Sequence, residues 1–220
     1  MAKKRIGVLV IGQSPRPDLV GLIKEMAPDY ELVQRGALDG VSEEELPDQD
    51  LAAYPLVTRM RGDKLARVNE AYLAPLLQQA LERLETTDIT ASILLCAGTF
   101  ADLKGDRPLF KPFELGCTIL KVLSIKRIGV ITPVAGQEIP IQARWSAMGW
   151  EPTVWVADIS HQDERFYTLL DEKVLTHNLE CIILDYVGHP ARDVEMVQQF
   201  ARVPVIDLGF LTIAALVSTL

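Results

Sequence analysis

The sequence predicts an α/β fold of two pseudo-symmetric halves, each with a mostly parallel sheet flanked by helices. Three observations carry that reading. Short apolar runs alternate with helix-like stretches along the whole chain, a pattern that builds βαβ units with parallel strands and right-handed crossovers. The runs are apolar on both parities and rich in β-branched residues, as strands buried on both faces are. Finally, Lys4-Arg5-Ile6-Gly7-Val8-Leu9 recurs as Lys126-Arg127-Ile128-Gly129-Val130-Ile131, and Ile93-Leu94-Leu95-Cys96-Ala97-Gly98 lines up with Ile183-Leu184-Asp185-Tyr186-Val187-Gly188. Buried strands share a composition, which would account for one match; two matches in the same order favour a duplication. The halves are expected at residues 1–122 and 123–220, with the seam near Lys121 to Lys126 and the C-terminal helix free to complete the first half.

The elements follow in order. Arg5 to Ile11 reads as the first strand, and the loop Gly12 to Asp18 (GQSPRPD) leads into a helix from Pro17 to about Met26, with Ser14 as its cap. Tyr30 to Gln34 is a second strand, and Ser42 to Asp50 begins as a capping box and is broken by Pro47. Tyr54 to Met60 is a short strand and the following RGDK a turn. Leucines and alanines at helical spacing predict a helix from about Ala66 to Thr86, with Pro75 as a kink point. Thr90 to Leu95 is an apolar strand ending in CAGTF. In the second half, strands are predicted at Ile125 to Thr132, Thr153 to Ala157, Glu180 to Tyr186 and Val203 to Asp207. Helices are predicted at Gln137 to Met148, Asp163 to Asn178, Arg192 to Ala201 and Gly209 to Leu220. Each half is thus expected to be flavodoxin-like.

Composition narrows the function. With 220 residues, 49% of them hydrophobic and 24% charged, the chain has the make-up of a globular protein. A net charge of −8, with no basic stripe, argues against nucleic acid as a partner. The start MAKKRIGVLVIG is basic and then apolar, but the run is short and ends in SPRPD, so a strand is expected rather than a signal peptide. No stretch reaches the ~20 apolar residues of a membrane span, and a cytoplasmic location is expected. Cys96, Cys117 and Cys181 are widely spaced and form no Cys/His cluster, so neither a disulfide framework nor a metal site is expected.

In open α/β sheets ligands sit beyond the carboxyl ends of the strands. That singles out four loops, at Gly12 to Asp18, Cys96 to Phe100, Thr132 to Gln137 and Tyr186 to Pro190, which converge on one crevice if the halves face each other. Cys96 follows an apolar strand and precedes Ala97-Gly98-Thr99. Backbone N–H groups there would favour a thiolate fit to act as nucleophile or base; the alternative is a small hydrophobe capping a core strand. Cys117, in an apolar stretch, and Cys181, at the start of a strand, read as structural. In GQSPRPD, two prolines stiffen the loop around Arg16, whose guanidinium, with the Ser14 hydroxyl, suits a carboxylate or phosphate; pairing of Arg16 with Asp18 is the alternative. Arg59 and Arg61 add positive charge. His189 is the one histidine in such a loop, His161 and His177 reading as helix-end residues.

The segments IGQSPRPD, YPLVTRMRGD, LLCAGTF and LDYVGHP resemble the AroM family over nearly the whole chain. More distantly, the duplicated layout is similar to the aspartate/glutamate/hydantoin racemase superfamily. That resemblance implies a cofactor-independent enzyme with an active site between two α/β halves and one acid/base cysteine from each. It places Cys96 on the first catalytic cysteine, with Gly98 and Thr99 beside it for the substrate carboxylate. Gln13 and Ser14 fall on the first substrate loop and Thr132 on its counterpart; Arg16 beside them, and Gly188 and His189 in the last loop, are substrate-binding candidates by their position. The second cysteine position holds Tyr186, and a phenol with a pKa near 10 is a poor match for a thiol near 8.5. The expectation is therefore a one-cysteine isomerase, decarboxylase or lyase acting on a small carboxylate, with Tyr186 as its second catalytic candidate. The alternative is a small-anion binding or regulatory protein that has lost the chemistry. The apolar C-terminal helix is expected to be buried in its own core, with an oligomer interface as the alternative, and the superfamily resemblance allows a homodimer.

Overall fold

The computed structural model describes residues 3–47, 55–160 and 163–220. Asp48 to Asp50 of the acidic stretch, Tyr54 of the third expected strand and His161 lie outside the described residues. The chain divides into two compact units, Met1–Pro112 with Thr212–Leu220, and Phe113–Leu211.

In the first unit, β1 (Arg5–Val10), β2 (Glu31–Gly36), β5 (Ala91–Leu94) and β6 (Leu109–Phe110) form a parallel sheet in the order β2-β1-β5-β6. Helix α2 (Glu70–Glu85) buries Leu73, Leu77, Ala80, Leu81 and Leu84, the helical spacing read from the sequence. Full burial of a leucine side chain contributes about 1.5–3 kcal/mol relative to exposure, so this stripe alone anchors the helix. Its start differs from the expectation. Ala66 to Asn69 belong to β4 (Leu65–Asn69), which pairs antiparallel with β3 (Pro55–Arg59) across the turn at Gly62, where φ is 75°. Asn69 then caps α2 by accepting the Tyr72 N–H at 2.7 Å. The helix expected from Pro17 is also shorter: α1 covers Gly21–Met26 and Ser14 does not cap it, because the Ser14 hydroxyl and N–H are both taken by Asp39. Ser42 and Glu45 do form a capping box, on a single 3-10 turn.

In the second unit, β7 (Arg127–Thr132), β8 (Glu151–Val156), β9 (Cys181–Leu184) and β10 (Val205–Asp207) form a parallel sheet in the order β10-β9-β7-β8. Helices α4 (Glu138–Ala147), α5 (Glu164–Thr176) and α6 (Ala191–Phe200) stand close to the predicted spans, as does α7 (Leu208–Ser218), which begins in this unit and from Thr212 onward belongs to the first. Helix α3 (Pro112–Val122), which the sequence reading passed over, carries Phe113, whose ring meets Trp145 at 4.7 Å. Trp145 in turn meets Trp150 at 5.6 Å, in the core of this unit.

Each four-stranded sheet has the same order once its strands are counted from its own start: second, first, third, fourth. The hairpin β3–β4 is an insertion in the first copy only. The repeated glycine has one cause in both. A Cβ on Gly7 would stand 2.7 Å from Leu84 and from Ser92 Oγ, and one on Gly129 2.6 Å from Ile182 and 2.8 Å from Leu179. Neighbouring side chains cross the strand at that point, and a methyl group would displace them.

Candidate active site

In the first unit β1 has β2 on one side and β5 on the other, so the chain switches direction across the sheet at the carboxyl ends of β1 and β5. A doubly wound sheet offers its ligand site at such a switch. Register places Leu9 beside Leu94, and two residues further on Cys96 is buried, only 8% exposed. The Gly98 N–H donates to Cys96 Sγ at 3.3 Å. A Cβ added at Gly98 would stand 3.4 Å from Sγ, in ordinary contact with it. Beside it the Thr99 hydroxyl oxygen is buried with no hydrogen-bond partner, which is uncommon for a buried polar atom. Cys96 shares an apolar cluster with Ile11, Leu56 and Met60, from the loop after β1 and from the hairpin.

The loop after β1 is held from within. Gln13 Nε2 donates to the Val41 carbonyl at 2.8 Å, and its Oε1 accepts the Arg61 N–H at 2.7 Å. Asp39 accepts the Ser14 N–H at 2.7 Å, the Ser14 hydroxyl at 2.7 Å and the Gly36 N–H at 2.8 Å. Arg16 makes a two-pronged pair with Asp18, at 2.9 and 2.7 Å, the alternative the sequence left open. The hydrogen bond from Arg16 holds the Asp18 carboxyl below its ordinary value, and the charge of Arg59 adds to this. A cavity of about 370 Å³ opens here, lined by Gln13 to Asp18 and Arg59 to Gly62. Arg16, Arg59 and Arg61 are among its lining residues, with Asp18 as the one acid.

The second unit places Tyr186 two residues beyond Leu184, which pairs with Ile131, the same register position as Cys96. Tyr186 is 36% exposed and its ring lies 5.2 Å from that of His189. His189 Nδ1 is 2.7 Å from Asp207 Oδ2, and Asp207 Oδ1 accepts the Phe210 N–H at 2.6 Å. Both side chains are buried, and His189 Nε2 has no partner. Gly188 supplies the turn before His189 with φ at 113°, a conformation that favours glycine. Thr132 is fully buried, with its hydroxyl used inside its own loop by Gln137 and the Val134 N–H. At the end of β9, Asp185 forms a buried ion pair with Arg144 and accepts the Trp145 indole N–H.

The other two cysteines behave as core residues. Burial pushes the Cys117 thiol up to about 11 and the Cys181 thiol up to about 12, so both stay protonated and unreactive at neutral pH. No cysteine is disulfide-bonded. Among the described residues no group of three His, Cys, Asp or Glu could hold a metal ion, and no helix is long and apolar enough to cross a membrane.

Cys96, Gly98 and Thr99 therefore stand together, as do Gln13, Ser14 and Arg16, and as do Tyr186, Gly188 and His189. Thr132 is turned into its own loop. Three acids with organising positions escaped the sequence reading: Asp39, Asp185 and Asp207. Asp185 and Asp207 had a visible signal, each being a carboxylate ending an apolar strand. Asp39 lies 25 residues from Ser14 with no local pattern to join them.

Solved structures place the fold. Maleate isomerase from Pseudomonas putida S16 matches over 98% of this chain and 92% of its own, at 14% identity and a TM-score of 0.60. Arylmalonate decarboxylase matches over 97% and 91%, at 15% identity and a TM-score of 0.65. An aspartate racemase homologue from Pyrococcus horikoshii matches over 99% of both chains, at 12% identity and a TM-score of 0.62. The class is thus that of the racemase-like duplicated α/β fold. By sequence no curated protein matches. The AroM protein family matches residues 6–220, and the chain belongs to that family.

Proposed function

We propose that the protein is an enzyme that acts on a small carboxylate without a cofactor, as an isomerase, decarboxylase or lyase, using Cys96 as its single reactive thiol. The observation that supports this best is the strand-end setting of Cys96, with the Gly98 N–H aimed at its sulfur and the buried Thr99 hydroxyl oxygen without a partner. An N–H donated to sulfur favours the charged, nucleophilic form. A thiolate removes a proton from the carbon next to a carboxylate, the carbon–hydrogen electron pair spreading onto the carboxyl oxygens. The resulting thiol returns a proton to the same carbon; in a decarboxylation no proton is removed first, and the thiol form instead protonates the carbanion left when carbon dioxide departs and regains its proton from water. The Thr99 hydroxyl is a donor for the charge that develops, and the arginines around the loop after β1 draw an anion toward this end of the unit.

The fold shared with a maleate isomerase, an arylmalonate decarboxylase and an aspartate racemase homologue is in keeping with such chemistry. The test compares wild type with Cys96→Ala on maleate, an arylmalonate, aspartate and glutamate, followed by NMR. Loss of turnover in the variant supports the reading; equal turnover by both proteins rejects it. A second reading, an anion-binding protein without turnover, draws on Tyr186 standing where a second thiol is expected. It requires ligand-dependent thermal stabilisation, by mass action, with no product formed.

A further inference from the structure

We propose that His189 and Asp207 form an acid/base dyad in which His189 Nε2 takes up and returns a substrate proton while Asp207 holds the ring. The proposal rests on the reading above that the chain acts on small carboxylates. It assigns proton transfer to a histidine that the sequence suggested only as a substrate contact.

Four features converge on it. His189 Nδ1 is 2.7 Å from Asp207 Oδ2, and both side chains are at least nine-tenths buried. A carboxylate only accepts, so a hydrogen lies on Nδ1, and in the neutral form of the ring Nε2 then presents a bare lone pair. Asp207 is itself fixed, since its other oxygen accepts the Phe210 N–H at 2.6 Å. Nε2 is buried without a hydrogen-bond partner; a histidine serving only as a structural strut would satisfy both nitrogens. Lastly, β9 and β10 are neighbours, with Leu184 beside Asp207, so the dyad stands at the carboxyl ends of two adjacent parallel strands. The titratable groups in recorded contact with the ring are Asp207 and Tyr186.

The step balances without a further reactant. The bond between the substrate α-carbon and its hydrogen breaks, the proton goes to Nε2, and the electron pair passes onto the carboxylate. The imidazolium so formed is stabilised by Asp207. Return of the proton from Nε2 restores the neutral ring. His189 touches the reacting atom, and Asp207 is a positioning residue.

Asp207→Asn tests the arrangement sharply. The Phe210 N–H needs the single amide oxygen, so the amide NH2 turns to His189, whose Nδ1 must then accept, moving the ring hydrogen to Nε2. Long-range 1H–15N correlation on the full chain with 15N-labelled histidine is expected to show the Nδ1–H tautomer in wild type and the Nε2–H tautomer in Asp207→Asn. An Nε2–H tautomer in wild type overturns the proposal. Solvent-deuterium exchange at the α-carbon of aspartate, glutamate and phenylacetate then reads the chemistry. For the carboxylate that wild type exchanges, Asp207→Asn and His189→Gln are expected to lower kcat 100- to 10,000-fold with KM within a few-fold. Should His189→Gln not fold, Asp207→Asn carries the test. Wild-type rates in both variants, while Cys96→Ala is inactive, refute the dyad and leave the Cys96 reading standing. Absence of exchange by wild type on every carboxylate rejects the acid/base role, and absence of turnover on maleate and the arylmalonate as well rejects the parent reading with it.

Discussion

Replacing Asp39 with alanine tests how the loop carrying Gln13, Ser14 and Arg16 is held. The carboxylate accepts two backbone N–H groups, from Ser14 and Gly36, and the Ser14 hydroxyl, all within 2.8 Å. A hydrogen bond to a charged group contributes about 1.5–3 kcal/mol. Asp39 is only half-buried, so water replaces part of what is lost, and bonds sharing one acceptor do not add in full. Three such bonds at the lower end of that range come to about 4.5 kcal/mol, and with these two discounts the expected cost is about 3 kcal/mol. For a chain of this size, that lowers Tm by roughly 6–12 °C.

Two variants sharpen the reasoning. Ser14→Ala removes one of the bonds and is expected to cost about 1 kcal/mol. Asp39→Asn is expected to be nearly as harmful as alanine. The two backbone N–H groups use different carboxylate oxygens, and an amide has one oxygen, so its NH2 must face a donor. Urea unfolding followed by circular dichroism gives the free energies, and hydrogen exchange at the Ser14 and Gly36 amides reads the site directly. If Asp39→Ala matches wild type within about 0.5 kcal/mol, or if both amides stay protected in it, the account of the loop is wrong.

Two further outcomes follow from the packing. Gly12→Ala sets a methyl group 2.3 Å from Thr58 Oγ1 and 2.4 Å from the Arg59 carbonyl oxygen; because one neighbour is backbone, a loss of about 1–3 kcal/mol is expected in urea unfolding, and unchanged stability would contradict it. The Cys181 thiol, raised to about 12 in the fold from 9.0 by burial, stays protonated where the unfolded chain has lost its proton, so stability should fall as pH rises from about 9 toward 12. That slope is about 1.4 kcal/mol per pH unit, and Cys181→Ala should lose it; parallel curves for variant and wild type would count against burial as the cause.

The parts of the fold that were legible are those written into local pattern. The apolar runs became strands, the leucine stripe became α2, and the recurring Lys-Arg-Ile-Gly marked two sheets of the same order. The hairpin escaped because Leu65 to Asn69 alternate buried and exposed over too few residues to stand out beside a long helical stripe, and because Asn69, the true cap, sits inside what looked helical. The loop after β1 was recognised as unusual, but its internal wiring depends on Asp39, a partner distant in sequence. The strand-end position of Cys96 was legible because an apolar strand followed by Ala-Gly-Thr is a local signature. The His189–Asp207 pair was not, because it forms only when β10 is laid beside β9.

That difference bears on the chemistry of a duplicated fold. The two units share strand order, the crowded glycine on the first strand and the register that sets Cys96 and Tyr186 at equivalent positions. One residue before those positions they part: Leu95 is apolar, while Asp185 is a buried carboxylate bound to Arg144 and Trp145 of α4. A buried ion pair of that kind is poor evidence of added stability, since desolvating both charges offsets most of their attraction. What it does provide is a fixed, polar strand end in place of an apolar one. Beside it stand a phenol and a histidine–aspartate pair where the first unit has a thiol under a backbone N–H. The repeat thus carries the scaffold twice but a thiol at only one of the two equivalent strand ends, so the acid/base roles proposed for Cys96 and for His189 are to be measured separately rather than as one matched pair.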